Sequence, residues 1–425
     1  MKHSIKRNTA RVTTVLSTSF YAATVICSAV VTYRTQGVVS AFALKQQTQT
    51  AFGTATNTNT NNVHTPVGKD GEGAYSAATK GCFDVIDAAT PLVLNEIARI
   101  GQQPATITTT TRDDVNNAAF HIADYGTADA GTSLGLLSKI VKAVRDDDNN
   151  EKEIVIHYED QKDNEWKSVF NHALGYKSVT DAYGNKIETP YNLGKVFIEA
   201  NGVGFHSQCY PSSSINLGLS FTAMHWLSSS PSSLRGLDMM HAARCSVSND
   251  SNYSDGNIYA AETKQADQDW YNILQARSKE LKQGGTFVCI NFCISKEGYF
   301  LGQTEVGASM WDSFDSAWNK LADGADNQNL ITEEERLNVS FPNYYRTTQE
   351  FMQGVEKCPD LRLISAEEKI VRCPYREQYI SSIHNKDSTT KNAKTMTPKE
   401  YAKSFVPVSQ DANFFDFVDF YFYSI

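Results

Sequence analysis

The stretch AAFHIADYGTADAG, residues 118–131, carries the signature of the fold. An apolar run that ends in Asp124 is typical of a short buried strand, and Gly126 and Gly131 mark the turn after it. Leucine, isoleucine and valine then recur at helical spacing over residues 134–144. A strand, a glycine turn and a helix in this order predict the first unit of a nucleotide-binding α/β fold.

The flanking segments continue this alternation of strands and helices. Glu153–Asp160 predicts a second strand, and its final acid stands where such folds bind ribose hydroxyls. A long helix is predicted around Trp270–Leu281, with Gly284 and Gly285 ending it. Further strands are predicted at Lys195–Glu199, Ile215–Ser220, Thr286–Phe292 and Phe414–Ile425. The sequence therefore predicts an α/β protein with a Rossmann-like core.

Two segments interrupt the alternation of strands and helices. We expect residues 229–267 and 297–357 to form a mostly helical cap over the carboxyl ends of the strands, where ligands bind in such sheets. A further helix is expected from Tyr75 to Ile97. Asp124 and Asp160 should then converge on one cleft.

Composition excludes several classes of protein. Of the 425 residues, 41% are hydrophobic and 11% aromatic, which excludes a wholly disordered chain. The net charge of −9 argues against a dedicated nucleic-acid binder, which usually carries a basic face. The eight cysteines include no CxxC pair, so neither a metal site nor a disulfide scaffold is expected. The composition leaves a homodimer open.

The glycine turn departs from the dinucleotide motif GxGxxG. The middle glycine is missing, and Asp129 stands where a pyrophosphate would pass. An acid there disfavours NAD or FAD but is compatible with S-adenosylmethionine, which has no phosphate. Asp124 could then hold the ammonium end and Asp160 the ribose hydroxyls. The alternative is an ordinary α/β turn with solvated acids.

The N-terminus is interpreted as a targeting segment. It is basic, and the apolar run Phe20–Val31 is too short to span a membrane. Val39–Ala43 resembles the Ala-Phe cleavage motif of precursors bound for complex plastids. We divide the chain into a signal or transit segment (1–48), a linker (49–70) and the enzyme (71–425). Residues up to about 62 should be absent from the mature protein or disordered, and an ordinary secretory signal or an anchored helix is the alternative.

Seven segments, in chain order from about residue 71, resemble the SABATH methyltransferases of the salicylate, benzoate and theobromine type. The family's Ile-Ala-Asp-Leu-Gly-Cys is matched by Ile122–Thr127, and its strand ending in Trp-Leu-Ser by Pro211–Ser228. The other segments are Ala74–Cys82, Glu159–Phe170, Val203–Pro211, Arg277–Gly285 and Phe341–Thr347.

The resemblance implies a class I methyltransferase core and S-adenosylmethionine as cofactor. The family methylates carboxyl groups of small acids or ring nitrogens of xanthines. The implied cofactor residues are Tyr75, Thr79, Asp124, Gly126, Asp160, Gln161, Gly204 and Phe205. The implied substrate residues are Cys82, His206, His225 and Trp226, whose indole N–H would point at the substrate carboxylate.

Some positions depart from the family. Ala78, Cys82 and Gly204 differ from its usual residues, and Cys82 stands where the family has its carboxylate-binding glutamine. A thiol is a weak donor, so we expect His206, as an imidazolium, to replace that glutamine. Substrate affinity should then weaken as pH rises from about 6.5 to 8.5.

The expected activity is carboxyl methylation of a small organic acid. Such an acid has a pKa of about 4, so it is ionised at neutral pH and needs no general base, catalytic residue or metal. Proximity and orientation can supply roughly 7–11 kcal/mol of the barrier. The alternatives are an N-methyltransferase acting on a small heterocycle and a non-catalytic protein that retains the fold.

Overall fold

The computed structural model describes residues 23–33, 71–102, 118–145, 152–229, 256–296, 332 and 342–384. The strands in this part are β1 (Ala23–Tyr33), β2 (Phe120–Tyr125), β3 (Ile154–Glu159), β4 (Val196–Asn201), β5 (Ile215–Phe221), β6 (Leu281–Ile294), β7 (Arg346–Thr347) and β8 (Leu361–Arg372). The helices are α1 (Ala74–Ala78), α2 (Lys80–Gly101), α3 (Leu134–Val144), α4 (Trp166–Ala173), α5 (Gly256–Glu280), α6 (Thr348–Glu356) and α7 (Pro374–His384), with a 3₁₀ turn at Pro190–Leu193.

The strands form one mixed sheet in the order β4-β3-β2-β5-β6-β1-β8. Strands β4, β3, β2, β5 and β6 run parallel, and β1 runs antiparallel to both β6 and β8. The chain order reverses beside β2, where β3 lies on one side and β5 on the other. Ligands of such sheets bind at the carboxyl ends of the strands next to this reversal.

Apolar side chains on both faces explain why the central strands are buried. Every residue of β3 is buried, and Ile122, Leu217 and Leu219 are fully enclosed. Helix α3 buries Leu137, Ile140 and Val141 against the sheet. The predicted α/β fold with a Rossmann-like core is confirmed, and the predicted strands correspond to β2, β3, β4, β5 and β6.

Two predicted helix boundaries were wrong. The helix expected from Tyr75 to Ile97 is two helices, because Thr79 adopts a non-helical backbone (φ −96°, ψ 54°) between them. Helix α5 ends at Glu280, before Gly284 and Gly285, and Leu281 already pairs with Ile215 of β5. The pairing register then shifts, so the two glycines lie inside β6.

The N-terminal strand differs most from expectation. Residues 23–33 were interpreted as part of a segment separate from the enzyme, yet they form β1 inside the main sheet. Along Ile26–Thr32 the strand pairs with β6, and Val30 and Val31 are buried. An apolar run of this length is compatible with a central strand as well as with a signal sequence, so composition could not distinguish the two interpretations. The boundaries at 48 and 70 stay predictions.

The expected cap is described in part. Residues 230–255, 297–331 and 333–341 lie outside the described residues, as does the predicted strand Phe414–Ile425. Within the expected cap, the first part of α5 and all of α6 are helical. A capping box of Thr347 and Glu350 begins α6.

Candidate functional site

A cavity of about 410 Å³ opens at the carboxyl ends of β2, β3 and β5. This is the position that the reversal of strand order predicts. The residues that line it are Tyr75, Gly126, Ala128, Asp160, Gln161, Lys162, Gly202, Gly204, Phe205, His206, Ser207, Phe221, Thr222, Ala223, His225, Trp226, Leu227, Ser228, Phe292 and Pro342.

The turn after β2 brings backbone close to the cavity. Gly126 has a left-handed φ of 75°, and a Cβ added there would lie 2.4 Å from the Cβ of Ala223. Ala128 and Ala130 are also left-handed, with φ of 50° and 64°. Such a conformation costs a residue with a Cβ roughly 1–2 kcal/mol, and strained backbone of this kind clusters at ligand sites.

Asp160 follows β3 and lines the cavity. Its Oδ2 accepts from the Ala128 N–H at 2.7 Å, and its Oδ1 accepts from the Gln161 N–H at 2.7 Å. Burial raises the pKa of Asp160 to about 6, and these two N–H groups oppose the rise. The carboxylate is thus held in a fixed orientation, with lone pairs left for hydroxyl donors.

Asp124 does not line the cavity, contrary to expectation. Its Oδ2 accepts from the hydroxyls of Thr127 (3.1 Å) and Ser133 (2.7 Å), and burial raises its pKa to about 6. These hydroxyls come from the same turn, so Asp124 supports the turn. Asp129 likewise faces the protein, where its Oδ2 accepts from the N–H and the hydroxyl of Ser76, each at 2.8 Å. It thereby fixes the helix that carries Tyr75.

Thr79 and Cys82 are also absent from the cavity wall. The Cys82 thiol lies 3.8 Å from the Thr222 hydroxyl, and burial raises its pKa, opposed by hydrogen bonds with Thr222, Thr79 and Tyr75. Cys82 is 4% exposed. Thr79 Oγ1 donates to the Tyr75 carbonyl at 2.9 Å, and the Cys82 thiol is hydrogen-bonded with the Tyr75 side chain, so both residues hold Tyr75 without lining the cavity.

Three of the four predicted substrate residues belong to the wall of the cavity. His206, His225 and Trp226 all line it. His206 Nε2 lies 3.1 Å from the Trp226 carbonyl oxygen. A carbonyl only accepts, so Nε2 carries the hydrogen. Burial lowers the pKa of His206, with Asp269 opposing this effect, so the ring is neutral at neutral pH. The expected imidazolium is therefore not the resting state.

His225 has an orientation that Asn291 determines. Asn291 Oδ1 accepts from the Phe292 N–H at 3.1 Å, and His225 Nδ1 lies 3.2 Å from the same oxygen. Nδ1 is therefore the donor, which leaves Nε2 as an acceptor. Burial lowers the pKa of His225 to about 4, so this neutral form persists at neutral pH.

Sequence reasoning missed several lining residues. Thr222, Ala223 and Ser228 belong to the matched segment Pro211–Ser228, and their place in that segment was the available signal. Phe292 and Pro342 come from distant parts of the chain. Leu227 N–H donates to the Pro342 carbonyl at 2.7 Å, a pairing that only the folded chain makes.

In the described ranges, no group of three or more His, Cys, Asp or Glu side chains could hold a metal ion. Across the same part of the chain, none of the helices is long and apolar enough to cross a membrane.

The cavity residues fit S-adenosylmethionine. Asp160 offers an oriented carboxylate for ribose hydroxyls, and Gly126 leaves space that a side chain would fill. The backbone does not require glycine at Gly204, since its φ is not left-handed and a Cβ there would meet nothing within 4 Å. Of the eight predicted cofactor residues, Thr79 and Asp124 alone do not line the cavity.

Comparisons with known proteins agree with this geometry. The family described as SAM dependent carboxyl methyltransferase matches residues 70–409. The chain is 22% identical to gibberellic acid methyltransferase 1 of Arabidopsis thaliana over 59% of this chain and 62% of that protein. It is 24% identical to a benzoic acid/salicylic acid carboxyl methyltransferase of Petunia hybrida over 54% of this chain and 62% of that protein. The alignments thus span less than two thirds of either relative.

A solved structure of loganic acid methyltransferase with SAH has a similar fold. Its TM-score is 0.51, with 18% sequence identity over 69% of this chain and 75% of that chain. The fold, the cavity at the carboxyl ends of the strands and the match over residues 70–409 agree. The chain belongs to the family of S-adenosylmethionine-dependent carboxyl methyltransferases.

Proposed function

We propose that this protein methylates the carboxylate of a small organic acid to a methyl ester, with S-adenosylmethionine as cofactor. The observation that carries the proposal is that one cavity holds both halves of the expected site. Asp160, Gly126 and Trp226 all line it. When bound, the cofactor supplies a methyl group on a sulfonium.

The contributions of the protein to this reaction are binding, orientation and exclusion of water. The substrate carboxylate is already ionised at neutral pH, so no side chain needs to remove a proton. The Trp226 indole N–H orients the carboxylate, and His206 holds the Trp226 carbonyl at 3.1 Å. Phe221, Phe292 and Leu227 give the cavity an apolar part of its wall, which favours an acid with an apolar or aromatic body.

A panel of aromatic and aliphatic acids, assayed beside xanthines, tests the activity. Methyl esters hydrolyse in mild alkali and N-methyl groups do not, so mass spectrometry before and after alkali separates the two products. Transfer to acids alone supports the proposal. Transfer to ring nitrogens alone contradicts it.

Trp226→Phe tests the carboxylate contact. Removing the donor should raise the Michaelis constant for the acid by the equivalent of about 1–3 kcal/mol. Trp166→Phe is the matched control, because its indole N–H donates to the Lys162 carbonyl at 3.2 Å and Trp166 does not line the cavity. Equal kinetic effects of the two variants would contradict a contact between Trp226 and the substrate.

N-methylation of a heterocycle is a second candidate, favoured by His225. Its Nε2 is an acceptor, and an acceptor pairs with an N–H or O–H of the substrate. A heterocycle offers the former, and a hydroxylated acid offers the latter. Comparing methyl transfer to acids with and without a hydroxyl group therefore tests whether His225 binds a substrate hydroxyl.

Cofactor binding alone distinguishes an enzyme from a non-catalytic protein that retains the fold. A ligand at a hundred times its dissociation constant should add about 2.7 kcal/mol to the free energy of unfolding. A thermal shift with S-adenosylmethionine is therefore expected. Its absence at saturating cofactor would favour the non-catalytic alternative.

We also propose that the N-terminal segment directs the protein to a complex plastid. The basic start of the chain and Val39–Ala43 support this. Residues 1–60 fused to a fluorescent reporter should enter the plastid of an alga that has one. A reporter in the secretory pathway would favour the alternative signal, and a cytosolic reporter would contradict both.

A further inference from the structure

One buried ion pair is bonded to the backbone of a loop that contributes to the cavity wall. Residues 204–207 are four consecutive lining residues of this loop. Arg277 and Glu280, at the end of α5, do not line the cavity, and their side chains are 1% and 0% exposed. Nothing in the chemistry of methyl transfer requires this pair. Burying the two charges costs hydration free energy, so we expect the pair to have another role.

Arg277 binds the loop through two carbonyl groups. Its Nη1 donates to the Phe205 carbonyl at 2.9 Å, and its Nη2 donates to the Ser207 carbonyl at 2.9 Å. The same guanidinium makes two bonds of 2.8 Å to the carboxylate of Glu280 and lies 4.0 Å from the centre of the Tyr125 ring. The planar guanidinium is thus held by Glu280 on one side and bonded to the loop carbonyls on the other.

Glu280 binds the next part of the loop through two amide groups. Its Oε1 accepts from the Cys209 N–H at 2.5 Å and from the Tyr210 N–H at 3.2 Å. Its Oε2 accepts from the Tyr125 hydroxyl at 2.5 Å. Four backbone groups between Phe205 and Tyr210 are therefore bonded to one pair of side chains.

We propose that Arg277 and Glu280 are positioning residues that hold the loop 204–210 in the shape in which Phe205 and His206 face the cofactor and the methyl acceptor. A reaction that depends on orientation is sensitive to such a loop, since a displacement of about 1 Å can cost on the order of 100-fold in rate. Where it concerns the methyl acceptor, this inference rests on the proposed function. Where it concerns the contact between the loop and the cofactor, it rests on the cofactor of the family.

The test replaces both partners at once. A single substitution leaves a buried charge unpaired and risks loss of the fold, whereas replacing a whole buried pair by apolar side chains is often neutral or stabilising. Arg277→Met/Glu280→Met leaves no buried charge unpaired, and circular dichroism checks that it folds; it cannot bind the four backbone groups. We expect the dissociation constant for S-adenosylhomocysteine, measured by calorimetry, to rise about tenfold, or about 1.4 kcal/mol. The amides of Cys209 and Tyr210 should exchange hydrogen faster.

A second ion pair in the chain supplies the control. Glu96 and Arg99 of α2 are also three residues apart, with Nε and Oε2 at 2.6 Å, and they do not line the cavity. Glu96→Met/Arg99→Met should leave the affinity for S-adenosylhomocysteine unchanged. An equal loss of affinity in both double variants would show a general effect of stability and would overturn the proposal.

Arg277→Lys separates positioning from folding. It retains the charge and loses the fork, so kcat for methyl transfer should fall more than KM for the cofactor rises. Wild-type affinity in Arg277→Met/Glu280→Met would overturn the positioning role and leave the proposed function intact. Failure of the wild-type protein to bind S-adenosylhomocysteine would overturn both.

Discussion

Asp160 is the side chain whose protonation should govern cofactor binding. Its pKa of about 6 means that the carboxylate is ionised at neutral pH and protonated in mild acid. Ribose hydroxyls donate to the ionised form, so binding should be strong above this pKa and weaken as pH falls through it. The affinity for S-adenosylhomocysteine, measured between pH 5 and 8, should fall towards the acid end by at most about tenfold per pH unit.

Asp160→Asn should bind more weakly at neutral pH and show a flat profile. Asp124→Asn is the matched control, because Asp124 has a similar pKa and does not line the cavity. If Asp124→Asn abolishes the pH dependence and Asp160→Asn does not, the assignment of the titrating group is wrong.

His206 should influence substrate affinity at a lower pH than its ordinary pKa suggests. In the neutral ring the single N–H donates to Trp226, and Nδ1 has no hydrogen to offer a carboxylate. Protonation adds a donor at Nδ1, and burial lowers the pKa at which this happens. With saturating cofactor, KM for the acid should therefore fall as pH drops below about 6.5, the ordinary value. The window of 6.5 to 8.5 expected from the sequence is too high.

His206→Phe should remove this acid response. It should also raise KM at neutral pH, because Trp226 loses its bond from the His206 ring. A variant with unchanged KM at every pH would assign His206 to the cavity wall alone.

At the scale of the element, the turn after β2 depends on the absence of a side chain at Gly126. Gly126→Ala should be destabilised by strain at φ 75° and by the 2.4 Å approach to Ala223, about 1–3 kcal/mol beyond the strain alone. Because Ala223 lines the cavity, cofactor affinity should fall as well. Denaturant unfolding and calorimetry measure the two effects.

Gly184→Ala separates strain from contact. Gly184 has a φ of 84°, and a Cβ there would meet nothing within 4 Å. It should lose about 1–2 kcal/mol from strain and keep its cofactor affinity. Equal losses of stability in the two variants would mean that the approach to Ala223 costs nothing.

At the scale of the whole molecule, the N-terminal strand raises a question about maturation. Strand β1 lies between β6 and β8, and cleavage near Val39–Ala43 would remove it. Deleting residues 1–40 should therefore leave the facing edges of β6 and β8 unpaired and uncover their apolar neighbours. We expect a clear fall in the thermal midpoint, since backbone groups buried without partners cost on the order of 1–3 kcal/mol each.

Deletion of residues 414–425 is the control for this truncation. That segment, predicted from its sequence to be a strand, lies outside the described residues. If removal of residues 414–425 lowers the thermal midpoint and removal of residues 1–40 does not, β1 does not stabilise the sheet, and its place between β6 and β8 is contradicted.

The local sequence pattern was sufficient to predict the core strands of this protein and to recognise its family. Strands β2, β3 and β5 are short apolar runs bounded by polar turns, and such runs are buried whatever surrounds them. Asp160 and Gly126 lie directly after two of these strands, so their place at the cavity followed from chain order alone. Trp226 followed from the matched motif.

Tertiary structure decided which polar groups face the ligand and which face the protein. Asp124, Asp129 and Cys82 were plausible cavity residues by position, but hydroxyl and amide groups close in space bind or enclose them within the protein. The loop 204–210 depends on α5, some seventy residues later, because Arg277 and Glu280 reach its backbone. The sequence alone determined the central strands β2, β3 and β5, because burial of apolar runs is a local property. The pairing of buried polar groups depends on distant residues, so only the folded chain determined the orientation of the site.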